Sequence, residues 1–113
     1  MQVIFQSRDP EGAQMRDLAV RRVHFVMRRM NWLVPRAKVQ LEDINGPHGG
    51  VDKRCHLEFK TNASGTVVVT AVARNWTGAL NSALARGMRA IMRGSQRDRA
   101  HLRLRQQAVG LDG

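Results

Sequence analysis

Arg86, Arg89, Arg93 and Arg97 stand three and four residues apart, and no acidic residue interrupts them. At about 100° per residue they fall within one narrow arc of a helix. Guanidinium is planar, forked and weakly hydrated, so it matches phosphate oxygens and stacks on bases. A row of such groups is chemistry for holding a polyanion through many contacts, with nothing turned over.

Catalytic chemistry finds less support. Cys55 and His56 are neighbours in an alternating stretch, which puts them on opposite faces of a strand and denies them a nucleophile–base contact. Cys55 reads as a small buried hydrophobe. His24, His48, His56 and His101 lack metal-ligand spacing, and a single cysteine cannot complete a zinc set. His48, in a glycine-rich loop, reads as a polar loop residue. Glu42–Asp43 reads as a charge device on a strand edge rather than an acid–base pair. The glycines at 46, 49 and 50 match neither a phosphate loop nor a dinucleotide fingerprint. No enzyme, cofactor, metal site or small-molecule substrate is expected.

Composition favours a nucleic-acid partner. The 113 residues carry 19 Lys plus Arg against 9 Asp plus Glu, a net charge of +10 and a pI near 11.7. Arginine supplies all but Lys38, Lys53 and Lys60 of those cations. A fold so charged repels itself until a polyanion neutralises it. There is no tyrosine, and the aromatic signature of an RNA-recognition sheet is missing. Phe5 and Phe59 belong on the core side of their strands, while Trp32 is a candidate for stacking on a base.

The length suits one domain with a modest core. One cysteine excludes an internal disulfide and suits a reducing compartment. Met1-Gln2-Val3-Ile4-Phe5 is too short and uncharged for a signal peptide, and no apolar run reaches the ~20 residues of a membrane span. The expectation is a soluble cytoplasmic protein without membrane association, monomeric when free.

The elements that must carry these residues follow from patterning. Gln2 to Gln6 reads as a strand. Asp9 is a cap with Pro10 at the first helical position, opening a helix from about Glu11 to Asn31. Along it Met15, Leu18, Ala19, Val23, Val26, Met30 and Leu33 share a face, opposed by Asp17, Arg21, His24 and Arg28. Arg22 and Arg29 lie in or beside the apolar arc, so either they snorkel at its edge or they face a groove beside a second helix. Arg36 to Ile44 and Asp52 to Lys60 alternate apolar and polar residues, and Asn62 to Gly65 joins the second of these to a β-branched strand, Val67 to Val72. Asn75 caps the helix Trp76 to Gln96, whose apolar arc is Trp76, Ala79, Leu80, Ala83, Leu84, Gly87, Ala90 and Ile91.

The order is β-α-β-β-β-α, an α/β (α+β) two-layer sandwich. A four-stranded mixed sheet carries two helices on one face, and its first β-α-β unit is a right-handed crossover. A groove between the helices would take Arg22 and Arg29 from one side and Arg86, Arg89, Arg93 and Arg97 from the other. Gly94–Ser95 interrupts the helical pattern, which divides the chain into a domain at 1–95 and a basic flexible tail at 96–113. That tail is either an arm that orders on its target or a solvated terminus.

From Met1 to about Arg97 the chain resembles the ribosome hibernation-promoting factor family, the ribosome-associated inhibitor and subunit-interface proteins, in its short form. Met15-Arg16-Asp17-Leu18 is similar to that family's Leu-Arg-Glu-aromatic helix opening, and Arg22 falls where lysine is common. Asn75-Trp76-Thr77-Gly78-Ala79-Leu80-Asn81 is similar to Asp-hydrophobic-Tyr-Ala-Ala-Ile-Asp, with Thr77 in place of Tyr and Asn81 in place of Asp. Arg86, Arg89, Arg93 and Arg97 match its basic positions, and Gly49 to Cys55 resembles a loop and strand of some members.

The resemblance implies binding to ribosomal RNA of the small ribosomal subunit, in the channel of messenger and transfer RNA, and the silencing of idle ribosomes. The likeness does not extend to the dimerising domain of longer members, so pairing of ribosomes is expected to need another factor. Two other readings stand beside it: a double-stranded RNA-binding module with an α-β-β-β-α core, and a regulatory module whose basic face meets an acidic protein.

Overall fold

The computed structural model describes residues 1–45, 52–62 and 65–112, with side chains described as far as residue 94. Its strands are β1 (Gln2–Ser7), β2 (Arg36–Asp43), β3 (Lys53–Lys60) and β4 (Thr66–Ala73). They form one sheet in the order β1-β2-β3-β4. β1 runs parallel to β2, and the other two pairings are antiparallel.

Alternation decides the two faces. Ala37, Val39 and Leu41 of β2 and Cys55, Leu57 and Phe59 of β3 are buried. The register aligns Phe5, Val39, Leu57 and Val69 in one apolar row, and Gln6, Gln40, His56 and Thr70 in a polar row of the opposite parity. Each fully buried Val, Leu or Phe contributes about 1.5–3 kcal/mol, enough to fix this register against a one-residue slip. The sheet is covered on one face only, as expected.

The covering helices are α1 (Pro10–Ala13), α2 (Arg16–Met27) and α3 (Trp76–Asp112). α2 packs against β1, and α3 lies on β3 and β4. The single helix expected from Glu11 to Asn31 is therefore divided and shorter. At its start, Gly12 sits so close to β1 that a Cβ there would lie 2.3 Å from Ser7 Oγ. The first turn is held down on the strand end, and the chain turns at Gln14–Met15 before α2 begins. At the far end the backbone bonds tighten to i→i+3, with Met30 N–H donating to Met27 and Leu33 N–H to Met30, both at 2.9 Å. Such tightening is a common way for a helix to satisfy its last carbonyls.

Asp9 does precede Pro10 at the first helical position, but its side chain caps nothing. Its carboxylate accepts the Asp43 backbone N–H at 2.9 Å, tying the turn to the end of β2. Asn75 behaves as expected: its Oδ1 accepts the Gly78 N–H at 2.6 Å. α3 does not break at Gly94–Ser95, because one glycine costs a helix about 1 kcal/mol without forbidding it. Its backbone runs on to Asp112.

α3 approaches the sheet closely through Gly87. A Cβ at that position would stand 2.5 Å from Cε2 of the buried Phe59. On this helix Ala79, Leu80, Ala83, Leu84 and Ile91 are also buried, and α2 contributes Ala19, Val23 and Met27 to the same core.

Candidate nucleic-acid interface

With Leu80, Leu84, Gly87 and Ile91 turned to the sheet, helical geometry sends the two flanks of α3 in different directions. One flank carries Arg86, Arg89 and Arg93. It turns toward the edge strand β4, where an Arg86 guanidinium N–H donates to the Thr70 backbone carbonyl at 2.8 Å. That bond occupies one of the backbone acceptors an edge strand leaves open. Arg89 folds back on its own helix, its Nε donating to the Ala85 carbonyl at 3.3 Å. Together with Val68, Val69, Ala90 and Met92, the three arginines line an open concavity of about 770 Å³. Its floor is apolar and its rim cationic.

The other flank carries Asn81, and it meets α2. Arg22 Nη2 donates to Asn81 Oδ1 at 2.8 Å, while the buried Arg22 Nε has no hydrogen-bond partner among the described residues. Arg29 is exposed just beyond the end of α2. The expected single groove, entered by Arg22 and Arg29 from one helix and the remaining arginines from the other, is therefore not what forms. Arg22 sits between the helices, and Arg86, Arg89 and Arg93 face away from α2. The reason is angular: Arg89, Arg93 and Arg86 stand about 80°, 120° and 140° from Asn81 about the helix axis, and the core arc on the remaining side must rest on the sheet. The side chain of Arg97 lies outside those described, as does the loop containing His48.

These cations are uncompensated. Among the described residues the ion pairs join Lys53 to Asp43 and Asp52, Arg54 to Glu42, and His56 to Glu58. None of Arg22, Arg29, Arg86, Arg89 and Arg93 takes part. Their charge is left for a partner. Arg22, which falls where the family it resembles commonly has Lys, thus meets Asn81, which departs from that family's Asp. A neutral amide accepts the guanidinium bond without cancelling the charge.

The acidic neighbours Glu42 and Asp43 lie past the end of β1, whose pairing with β2 stops at Leu41. They reach across to β3, Glu42 to Arg54 and Asp43 to Lys53 at 2.8 Å. The Asp43 hydrogen bond, opposed by partial desolvation and reinforced by the charges of Asp43 and Asp52, holds the Lys53 ammonium above its ordinary value.

Cys55 is buried, and burial pushes its thiol up to about 12. His56 lies on the other face of the same strand, its ring nitrogens 3.0 Å from Thr70 Oγ1 and 3.2 Å from Glu58 Oε1. The two cannot act together. Among the described residues no group of His, Cys, Asp and Glu is arranged to hold a metal ion, and no helix is long and apolar enough to cross a membrane.

Sequence patterning missed Phe25. It is 58% exposed, and the Arg28 guanidinium carbon lies 4.4 Å from its ring centroid. The available signal was its spacing of three from Arg28 and seven from Trp32.

No family model matches the sequence, and no curated protein matches it. Among solved structures, the crystal structure of the N-terminal domain of Protein Y from Thermus thermophilus superposes with a TM-score of 0.60. The match covers 81% of this chain and 93% of that one, at 19% identity. The fold is shared with Protein Y. At that identity the two agree in scaffold while most side chains differ, so the charges described above belong to this chain in its own right.

Proposed function

We propose that this protein is a ribosome-associated hibernation factor that binds small-subunit ribosomal RNA in the channel of messenger and transfer RNA, and silences idle ribosomes by occupancy. The observation that carries the proposal is the row Arg86, Arg89 and Arg93, unmatched by any carboxylate among the described residues, on a scaffold shared with the N-terminal domain of Protein Y. Arg22, Arg29, Arg86, Arg89, Arg93 and Arg97 contact phosphates in this reading, with no cofactor and no turnover. Cations on two sides of α3 suit a ligand that encloses the protein, as the walls of an RNA channel do, and recognition of folded RNA by shape and backbone. The binding unit spans 1–95, and 96–113 is a basic extension of it.

A duplex-binding α-β-β-β-α module lacks the first strand, whereas β1 here is paired along its whole length with β2. The test is sedimentation of the full chain with purified ribosomal subunits through a sucrose gradient. Co-migration with the small subunit, weakened by salt, is the expected result. A chain that stays at the top of the gradient at low salt, or that prefers free RNA duplex to subunits, overturns the proposal.

A further inference from the structure

The chain has five aromatic residues, three Phe and two Trp. Phe59 is fully buried, and Phe5 and Trp76 pack partly buried against the core. The remaining two are left out: Phe25 is 58% and Trp32 66% exposed. Large exposed rings carry a hydrophobic cost that usually marks a contact surface.

They are not scattered. Phe25, Arg28, Arg29 and Trp32 recur at i, i+3, i+4 and i+7 through the last turn of α2 and the i→i+3 turns that follow it. All four are exposed and follow one another on consecutive turns of the same stretch. Arg28 already lies over the Phe25 ring, a cation–π contact that leaves the outer face of the guanidinium available for stacking. Arg28 and Arg29 are both exposed and meet no carboxylate among the described residues.

The backbone beneath the indole is anchored. Asn62 Nδ2 donates to the Trp32 carbonyl at 2.8 Å, and the Asn62 N–H donates to the Leu33 carbonyl at 3.0 Å. Leu33 and Val34, the next two residues, are buried. A turn pinned to the β3–β4 connection and seated in the core therefore presents an unengaged ring. Holding a binding group rigid in advance lowers the entropy lost on contact.

We propose that Trp32, together with Phe25 and Arg28, is a stacking platform for unpaired bases of RNA, with Arg29 on the adjoining phosphate. The ligand class is single-stranded RNA or the splayed bases of a loop, because bases within a duplex offer no free face. This inference rests on the proposed RNA partner and adds a mode of contact that the arginine flank of α3 lacks. The two flanks of the molecule then do different work: backbone phosphates at α3, bases at the α2 turn.

The test uses indole emission from the full chain, titrated at low salt with a twelve-nucleotide oligouridylate and with an RNA duplex of equal length. Saturable quenching by the single strand, and little by the duplex, is expected. Trp32→Ala and Trp32→Phe lack the reporting indole, so their affinities are read with the parent's by the anisotropy of a dye-labelled oligouridylate. Trp32→Ala should bind roughly 5- to 150-fold more weakly, the range for one lost base stack, and Trp32→Phe should recover part of that. Thermal melts accompany each variant; since the ring is exposed, they should superpose on the parent. Unchanged affinity in Trp32→Ala, or equal quenching by duplex, overturns the platform. If the oligouridylate fails to quench while the chain still sediments with small subunits, the platform is wrong and the ribosomal reading stands. If an acidic peptide quenches the indole and RNA does not, the surface is a protein-docking site and the platform is refuted.

Discussion

Replacing Arg89 and Arg93 together by alanine separates a binding role from a folding role. Both side chains are exposed and ion-pair with nothing among the described residues, and Arg89 makes only a bond to its own helix. Exposed cations of this kind change stability by no more than about 0.5 kcal/mol, so the melting curve should hardly move. Binding should change a great deal. If all six arginines touch phosphates, log affinity falls against log salt with a slope of about −4 to −5. A fourfold rise in salt from 50 to 200 mM then costs roughly three orders of magnitude. With two contacts gone the slope becomes about −3 to −3.6, and the same rise costs roughly two orders. The assay is co-sedimentation with small subunits across a salt series. Arg86→Ala provides the contrast, because it also deletes the 2.8 Å bond to the Thr70 carbonyl and should lower stability by about 0.5–1.5 kcal/mol. A double variant whose slope matches the parent would show that this flank touches no phosphate. One that melts far below the parent would show that the stripe holds the fold.

Gly87→Ala should destabilise the protein although alanine is the better helix former: the added Cβ meets Phe59 at 2.5 Å in a filled core, an overpacking that costs about 1–3 kcal/mol, seen as a lower urea midpoint. Asn81→Asp should convert the Arg22 hydrogen bond into an ion pair, raising stability by up to about 1 kcal/mol. The same change cancels charge, so affinity for small subunits should drop; a variant that binds more tightly refutes the assignment of Arg22 to RNA. Cys55 should resist thiol reagents at pH 8 in the native protein and react at once in urea. Its folded pKa is raised from 9.0 to about 12, so the folded form retains the proton longer than the unfolded one. That stabilisation is complete below pH 9 and is lost as pH climbs toward 12, at about 1.4 kcal/mol per unit. Cys55→Ala should flatten the decline.

Alternation made the sheet legible: Ala37, Val39 and Leu41 against Lys38, Gln40 and Glu42 can be read directly as one strand with a dry and a wet side. The caps were partly legible, since Asn75 has a free oxygen above an open helix end, whereas the carboxylate of Asp9 has a competing donor, the Asp43 N–H, that is distant in sequence. The division of the first helix was not readable, because it depends on Gly12 meeting Ser7 rather than on any breaker in the helical pattern. The single groove failed for a similar reason. Helical period gives each side chain an angle about its own axis, but not the direction in which the neighbouring helix lies. That direction comes from strand order. With β1 at one edge beneath α2 and β4 at the other beside α3, the arginine flank turns outward.

Strand order also explains why the two contacts of α3 can coexist. A helix that had to clasp its neighbour and grip an anion with one flank would set its cations beside the partner helix, where desolvation weakens their hold on phosphate and crowding denies access. Here the clasp is a single neutral acceptor, Asn81, facing α2, and the core arc with Gly87 keeps α3 low on the sheet. The arginines are thereby carried past the edge of β4, into water. Their outward position is a consequence of where the apolar residues must go, and it leaves their charge unspent until something anionic arrives.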